Sequence, residues 1–202
     1  MVRNRSSKAG FTLMEMLVVV AIIAITAAIA APAIGSQMAE RRVNEAAYGL
    51  VRQGARARSE AMAYGRAHLL RYSQSSFGVG GANGSVQLWR GRLSGCSTND
   101  WPSIINGPCE SDRDCVDDLN MGNYSFSSQH TEMRVPGATS VDLCFQPDGD
   151  MLASIDGGAF AAVPPSGSDA ISFRLRRISN GTPAGVERWV AFPFGGAPRL
   201  MQ

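Results

Sequence analysis

Residues 16–34 read MLVVVAIIAITAAIAAPAI, nineteen positions without a charge. A helix rises 1.5 Å per residue, so about 20 such positions cross the hydrocarbon of a bilayer, and the stretch is read as a membrane span. Arg3, Arg5 and Lys8 precede it and all four cysteines follow it. The excess of basic charge before the span puts the first ten residues in the cytoplasm and the remainder outside. A cleavable secretory signal has the same order and ends at a small-x-small site, for which Ala28, Ala30 and Ala31 qualify. Glu15 argues against that ending: an unpaired charge at the start of the run costs about 2.5–3.5 kcal/mol in a membrane. Helical character also continues past Ala31.

The rest of the composition agrees with one anchored domain. The chain has 202 residues, 45% hydrophobic and 18% charged, which supplies a core and excludes a disordered polyelectrolyte. Lys8 is the only lysine. Setting aside Arg3, Arg5 and Lys8 leaves 16 basic against 17 acidic residues, so the net charge of +2 belongs to the N-terminus and implies no general nucleic-acid-binding surface.

Beyond Pro32 and Gly35, Val43, Ala47, Leu50, Gly54, Ala57, Ala61 and Tyr64 recur at steps of four and three, the stripe of an amphipathic helix. Arg41, Arg42, Glu45, Arg52, Arg56 and Glu60 lie off it, with Arg41/Glu45 and Arg56/Glu60 spaced for ion pairs. One helix over about 11–64 is expected, within a segment 11–66. Pro32 removes a hydrogen bond from Ala28, predicting a bend or local melting over 28–35.

From residue 67 to 202 glycine and serine rise and period-two runs take over, so the fold class is α+β: a long N-terminal helix packed on a β-sheet-rich head. Strands are predicted at 67–73, 85–90, 123–128, 140–146, 151–155, 170–177 and 186–192. Pro147-Asp148-Gly149-Asp150 reads as the turn of a hairpin. Cys96, Cys109, Cys115 and Cys144 contain no CxxC pair, so they read as two disulfides in an oxidising compartment, with three connectivities open.

The string Lys8-Ala9-Gly10-Phe11-Thr12-Leu13-Met14-Glu15, followed at once by the apolar run, resembles the class III signal of type IV pilins and type II secretion pseudopilins. The resemblance implies that 1–10 is a leader, that prepilin peptidase cuts after Gly10 and N-methylates Phe11, and that the helix is retained. It implies that Glu15 pairs with the free amine of a neighbouring subunit. The partners implied are the peptidase, other pilins or pseudopilins, a pilus or secretion assembly platform and inner-membrane lipid. Ala57-Arg58-Ser59-Glu60-Ala61, the turn Cys144-Phe145-Gln146-Pro147-Asp148-Gly149 and the closing strand from Trp189 to Phe192 are similar to the GspH/FimT branch, with a β-sandwich-like head against the helix. DNA-binding members of that branch end in an arginine-bearing glycine motif. Here the end is Gly195-Gly196-Ala197-Pro198-Arg199-Leu200-Met201-Gln202, a departure that weakens any DNA role.

Catalytic patterns are missing from the sequence. His68 and His130 stand in no HExxH motif and beside no Cys or Asp at ligand spacing, and read as structural or surface residues. There is no GxSxG elbow, the glycines at 78–84 do not form GxGxxG, and the lone Lys8 excludes a Walker A loop. Neither an enzymatic role nor a cofactor or metal is expected. Glu110, Asp112, Asp114, Asp117 and Asp118 have the charge for calcium but not the glycine and trailing glutamate of an EF-hand loop. Arg174, Arg176, Arg177, Arg188 and Arg199 could line one face of the last strands and meet phosphates, with Arg174, Arg176 and Arg199 the candidate DNA contacts.

Overall fold

The computed structural model describes residues 11–74, 83–101, 109, 114–125, 129–162 and 170–201, with the backbone alone at 31–33. Its elements are a helix α1 (Leu13–Tyr64), then strands β1 (His68–Ser73), β2 (Ser85–Arg90), β3 (Cys115–Asn120), β4 (Gln129–Arg134), β5 (Ser140–Phe145), β6 (Met151–Ile155), β7 (Ala170–Ser179), β8 (Thr182–Pro193) and β9 (Arg199–Met201). The chain falls into two compact units, 1–38 and 39–202. The α+β class read from the sequence is the one observed.

In the first unit the apolar part of α1 is exposed over Leu13–Ala30, none of which is buried. The backbone stays helical across 28–35, so the local melting expected at Pro32 does not occur. A proline forfeits one hydrogen bond of the ladder, and neighbouring alanine and isoleucine residues hold the remaining turns.

The second unit is built on the other half of α1. Val43, Ala47, Leu50, Ala57 and Ala61 are fully buried, as the stripe predicts, and Ala46 beside them is buried as well. Tyr64 departs from it, at 62% exposed. It is the last helical residue, and Gly65 follows at φ +64°, turning the chain away before the ring reaches the core. The expected Arg41/Glu45 pair is replaced by Arg42–Glu45 at 3.2 Å, one residue closer, whereas Arg56–Glu60 forms at 2.7 Å.

Two antiparallel sheets share the core beneath α1. One has the order β3-β2-β1-β5-β6 and the other β4-β7-β8-β9. Leu70, Tyr72, Val86, Leu88, Val141 and Leu143 from the first meet Met133, Ile171, Phe173, Leu175, Val190 and Phe192 from the second. Edge-to-face contacts join Tyr72 to Phe173 at 5.5 Å and Phe173 to Phe192 at 5.3 Å. Glycines let the helix approach closely: Gly49 lies against Leu119 and Gly54 against Phe192 and Pro198. Polar clamps fix both flanks. Arg58 Nη1 donates to the Gly196 carbonyl (2.6 Å) and Arg188 Nε to Asn44 Oδ1 (2.7 Å), while Arg56 Nη1 reaches Asp117 Oδ2 (3.2 Å) on β3.

The five-stranded sheet is covered on its other face too. Ala67, Leu69, Trp89 and all four cysteines form a second apolar cluster, joined by Trp101, Leu152 and Phe160. The disulfides are Cys96–Cys144 and Cys109–Cys115, which selects one of the three connectivities. The first ties the segment after β2 onto β5, and Asn99 shapes that segment by accepting from the backbone N–H of Arg92 and Leu93 and donating to the carbonyls of Leu93 and Gly95.

The predicted strand at 123–128 is not observed in its described part. Asn120 Oδ1 accepts from Gly122 N at 3.0 Å and caps a 3-10 turn, Met121–Tyr124, that buries Met121; residues 126–128 lie outside the described set. The turn at 147–149 joins β5 to β6 as expected, with Gly149 at φ +91°.

Candidate functional site

Two places on the chain hold residues singled out by the sequence. The first is the start of α1. Thr12 is its cap: the Thr12 hydroxyl accepts from Glu15 N at 3.2 Å, and the Thr12 carbonyl accepts from Met16 N, also at 3.2 Å. Thr12-x-x-Glu15 is therefore the pattern of a capping box, a helix-start signal carried in the sequence itself. Glu15 sits in the first turn, where the helix dipole favours a carboxylate. Phe11, immediately before the cap, is 78% exposed.

The apolar run beyond Glu15 satisfies itself. Thr26 interrupts it with a hydroxyl, which bonds back to the carbonyls of Ile22 and Ile23 at 3.0 Å each, so no polar side-chain group in 16–30 requires water. Mean hydropathy over Leu13–Ala30 is 2.6, long and apolar enough for one membrane crossing. Gly10 lies outside the described residues.

Residues 5–31 match the family model for the prokaryotic N-terminal methylation motif. The chain carries a type IV pilin-like N-terminal signal. The match takes in Arg5, Lys8, Gly10, Phe11, Glu15 and most of the apolar run, so the signal and the exposed start of the helix are one continuous segment. No curated protein and no solved structure matches the chain.

The second place is the outward face of the β4-β7-β8-β9 sheet. Alternation along β7 turns Ile171, Phe173 and Leu175 into the core and leaves Ser172, Arg174 and Arg176 half-buried outside, so Arg174 and Arg176 do share a face. Arg176 is already engaged: its Nε donates to Glu132 Oε2 at 2.7 Å. Burial pushes the Glu132 carboxyl up, but hydrogen bonds from Arg176 and Arg134 outweigh it and hold the group below the ordinary glutamate range. Arg177 meets Glu40 at 3.4 Å and Gln129 at 3.1 Å, Arg188 is held by Asn44, and Arg199 is exposed on β9. The arginines predicted as a group are thus divided among several jobs. Glu132 and Arg134 were missed because β4, Gln129–Arg134, is too polar to read as a strand.

The remaining candidates stay structural or unassembled. His68 is fully buried, with Nδ1 3.2 Å from the Arg66 carbonyl and Nε2 3.4 Å from Glu60. Burial pushes its imidazole below the ordinary range despite both oxygens. His130 is half-buried on β4. Glu110 and Asp112 lie outside the described residues, and among the described residues no group of three or more His, Cys, Asp or Glu could hold a metal.

Proposed function

We propose that the chain is a non-enzymatic structural subunit, a minor pilin or pseudopilin of the GspH/FimT kind. Residues 1–10 are the leader, 11–66 the helix that anchors and then assembles, and 67–202 a periplasmic head. Prepilin peptidase cuts between Gly10 and Phe11 and methylates Phe11. The subunit waits in the inner membrane and is drawn by its assembly platform into a pilus or secretion pseudopilus. Glu15 pairs with the free amine of a neighbouring copy, which supplies the partner a carboxylate at the edge of a bilayer needs.

One observation carries this reading: a wholly exposed apolar helix begins three residues after the glycine of a matched methylation motif and bears Glu15 in its first turn. The GspH/FimT assignment draws support from a head of two antiparallel sheets packed on the helix. Two disulfides suit a head exposed beyond the cell and favour a minor pilin over a pseudopilin.

Intact-mass spectrometry of the protein from its native membrane tests the processing: the chain should begin at Phe11 with one added methyl group, and a start beyond Ala31 would falsify the reading. Assembly is tested separately by Glu15→Ala, which should reach the membrane and carry the same processed terminus yet stay out of filaments. If the helix were only a tether for an adhesive or DNA-binding head, that variant would behave as wild type.

A further inference from the structure

The sequence holds three Asn-Gly dipeptides, Asn83-Gly84, Asn106-Gly107 and Asn180-Gly181. The second lies outside the described residues, and the fold treats the other two in opposite ways. Such a dipeptide carries its own chemistry, because glycine has no side chain to keep its nitrogen from the asparagine side-chain carbonyl. Whether the two groups meet depends on how freely the backbone moves.

At Asn83-Gly84 it is tied on both sides. Gly84 N donates to the Gln74 carbonyl at 3.0 Å, the Gly84 carbonyl accepts from Met121 N at 3.1 Å, and the Asn83 carbonyl accepts from Met133 N at 2.8 Å. Gly84 is buried, with its Cβ position 2.7 Å from the Met133 carbonyl oxygen, and Ser85 after it is fully buried. Freeing this backbone means taking the head apart. Asn180-Gly181 is instead the exposed two-residue turn between β7 and β8, at φ +50° and +78°, with open space around Gly181. Neither the Gly181 N–H nor the Asn180 side chain has a hydrogen-bond partner among the described residues.

The ladder behind this turn is interrupted. Leu175 pairs with Arg188 but Arg177 with Ala184, so residues 185–187 bulge opposite Arg176. Thr182, Pro183, Gly185 and Val186 are exposed, and β9 covers β8 only from Trp189 to Ala191. β4 holds β7 as far as Ser179. On the β8 side the tip is closed by the pairs Arg177/Ala184, Ile178/Pro183 and Ser179/Thr182, with the Thr182 hydroxyl on the Ser179 carbonyl at 2.9 Å and Arg177 Nε 3.4 Å from the Ala184 carbonyl. A short exposed end of this kind opens while the rest of the head stays folded.

We propose that Asn180 is a site of spontaneous deamidation in the folded head. The Gly181 nitrogen gives its proton to solvent and attacks Asn180 Cγ. The bond from Cγ to the side-chain nitrogen breaks, ammonia leaves, and the two residues close into a succinimide. Water then opens the ring at either carbonyl, giving aspartate or, with the main chain rerouted through the side chain, isoaspartate. Water is the one co-reactant, and nothing is oxidised or reduced. Both products put a carboxylate at the tip, and isoaspartate also lengthens a turn that has only two residues to absorb the change. The site lies within the second unit and does not rest on the assembly role of the helix.

The test incubates the full chain in an uncharged detergent at mildly alkaline pH. Digestion, chromatography and mass spectrometry then follow the asparagine, aspartate and isoaspartate forms of each peptide. In the folded chain Asn180 should convert at least about tenfold faster than Asn83, which must wait for global opening. In concentrated guanidinium chloride the two rates should agree within about twofold, because each is then an unrestrained Asn-Gly. Gly54→Ala, which loosens the helix from Phe192, should speed Asn83 and leave Asn180 unchanged. An Asn180 as slow as Asn83 in the folded chain overturns the proposal. So does a difference that persists in denaturant, because it then belongs to the neighbouring sequence and not to the fold. A rise at Asn180 in step with Asn83 in the Gly54→Ala chain also overturns it, by placing the reaction in the unfolded state.

Discussion

Thr12 and Glu15 show how one residue can serve two levels of organisation. The Thr12 hydroxyl starts the helix, and the carboxylate three residues on complements the same helix end. Thr12→Val removes the cap at a cost of about 1 kcal/mol. Amide exchange over residues 13–16 in micelles should then accelerate roughly fivefold while the head is unaffected. Two other single residues set the response to acid. His68 is held neutral by burial, so the unfolded chain binds its proton first and stability falls as pH drops below about 6.5. Glu132 has a depressed value, so its contribution is complete above about 4.3 and disappears as pH falls through its lower folded value. Urea melts between pH 7 and 3 should show two successive losses. Glu132→Gln should flatten only the second, at a cost near neutrality of about 1.5–3 kcal/mol for a hydrogen bond to a charged group.

At the level of elements, the helix was legible because its stripe is made of small and aliphatic residues at unbroken spacing. The strands at 85–90 and 151–155 were legible to the residue, and those around 68, 140, 170 and 186 to within a few, because their inward positions are apolar and turn residues bound them. β3 and β4 were not. Cys115-Val116-Asp117-Asp118-Leu119-Asn120 and Gln129-His130-Thr131-Glu132-Met133-Arg134 are edge strands whose charges discourage pairing with another chain and hide the alternation. Asn180-Gly181, at φ +50° and +78° between β7 and β8, was an available hairpin signal. Of the candidate sites, the N-terminal signal is local in sequence and could be read there. The ion pair of Glu132 with Arg176 comes from pairing between strands 44 residues apart and could not. Close packing of the helix depends on Gly54, where an added methyl group would collide with the Phe192 ring. Gly54→Ala should therefore destabilise the head by about 1–3 kcal/mol, against a helix-propensity gain of at most about 1 kcal/mol, and thermal melts should show the net loss.

For the molecule as a whole, the two disulfides do unequal work. Cys96–Cys144 closes a loop of 48 residues and is worth about 4 kcal/mol, whereas Cys109–Cys115 closes only 6 and is worth about 2 kcal/mol. Replacing Cys96 and Cys144 together by serine should shift the denaturant midpoint roughly twice as far as replacing Cys109 and Cys115. The larger effect should come with red-shifted tryptophan emission, because Trp89 and Leu69 lose their cover while the core beneath α1 keeps its own.

That cover also imposes a schedule. A chain delivered N-terminus first lays down β1 and β2 long before residue 144 arrives, and until then Trp89 faces solvent with no lid to accept it. Closing the lid takes two electrons from the Cys96 and Cys144 thiols, so without an electron acceptor the chain would keep an unfastened, protease-sensitive flap over Trp89.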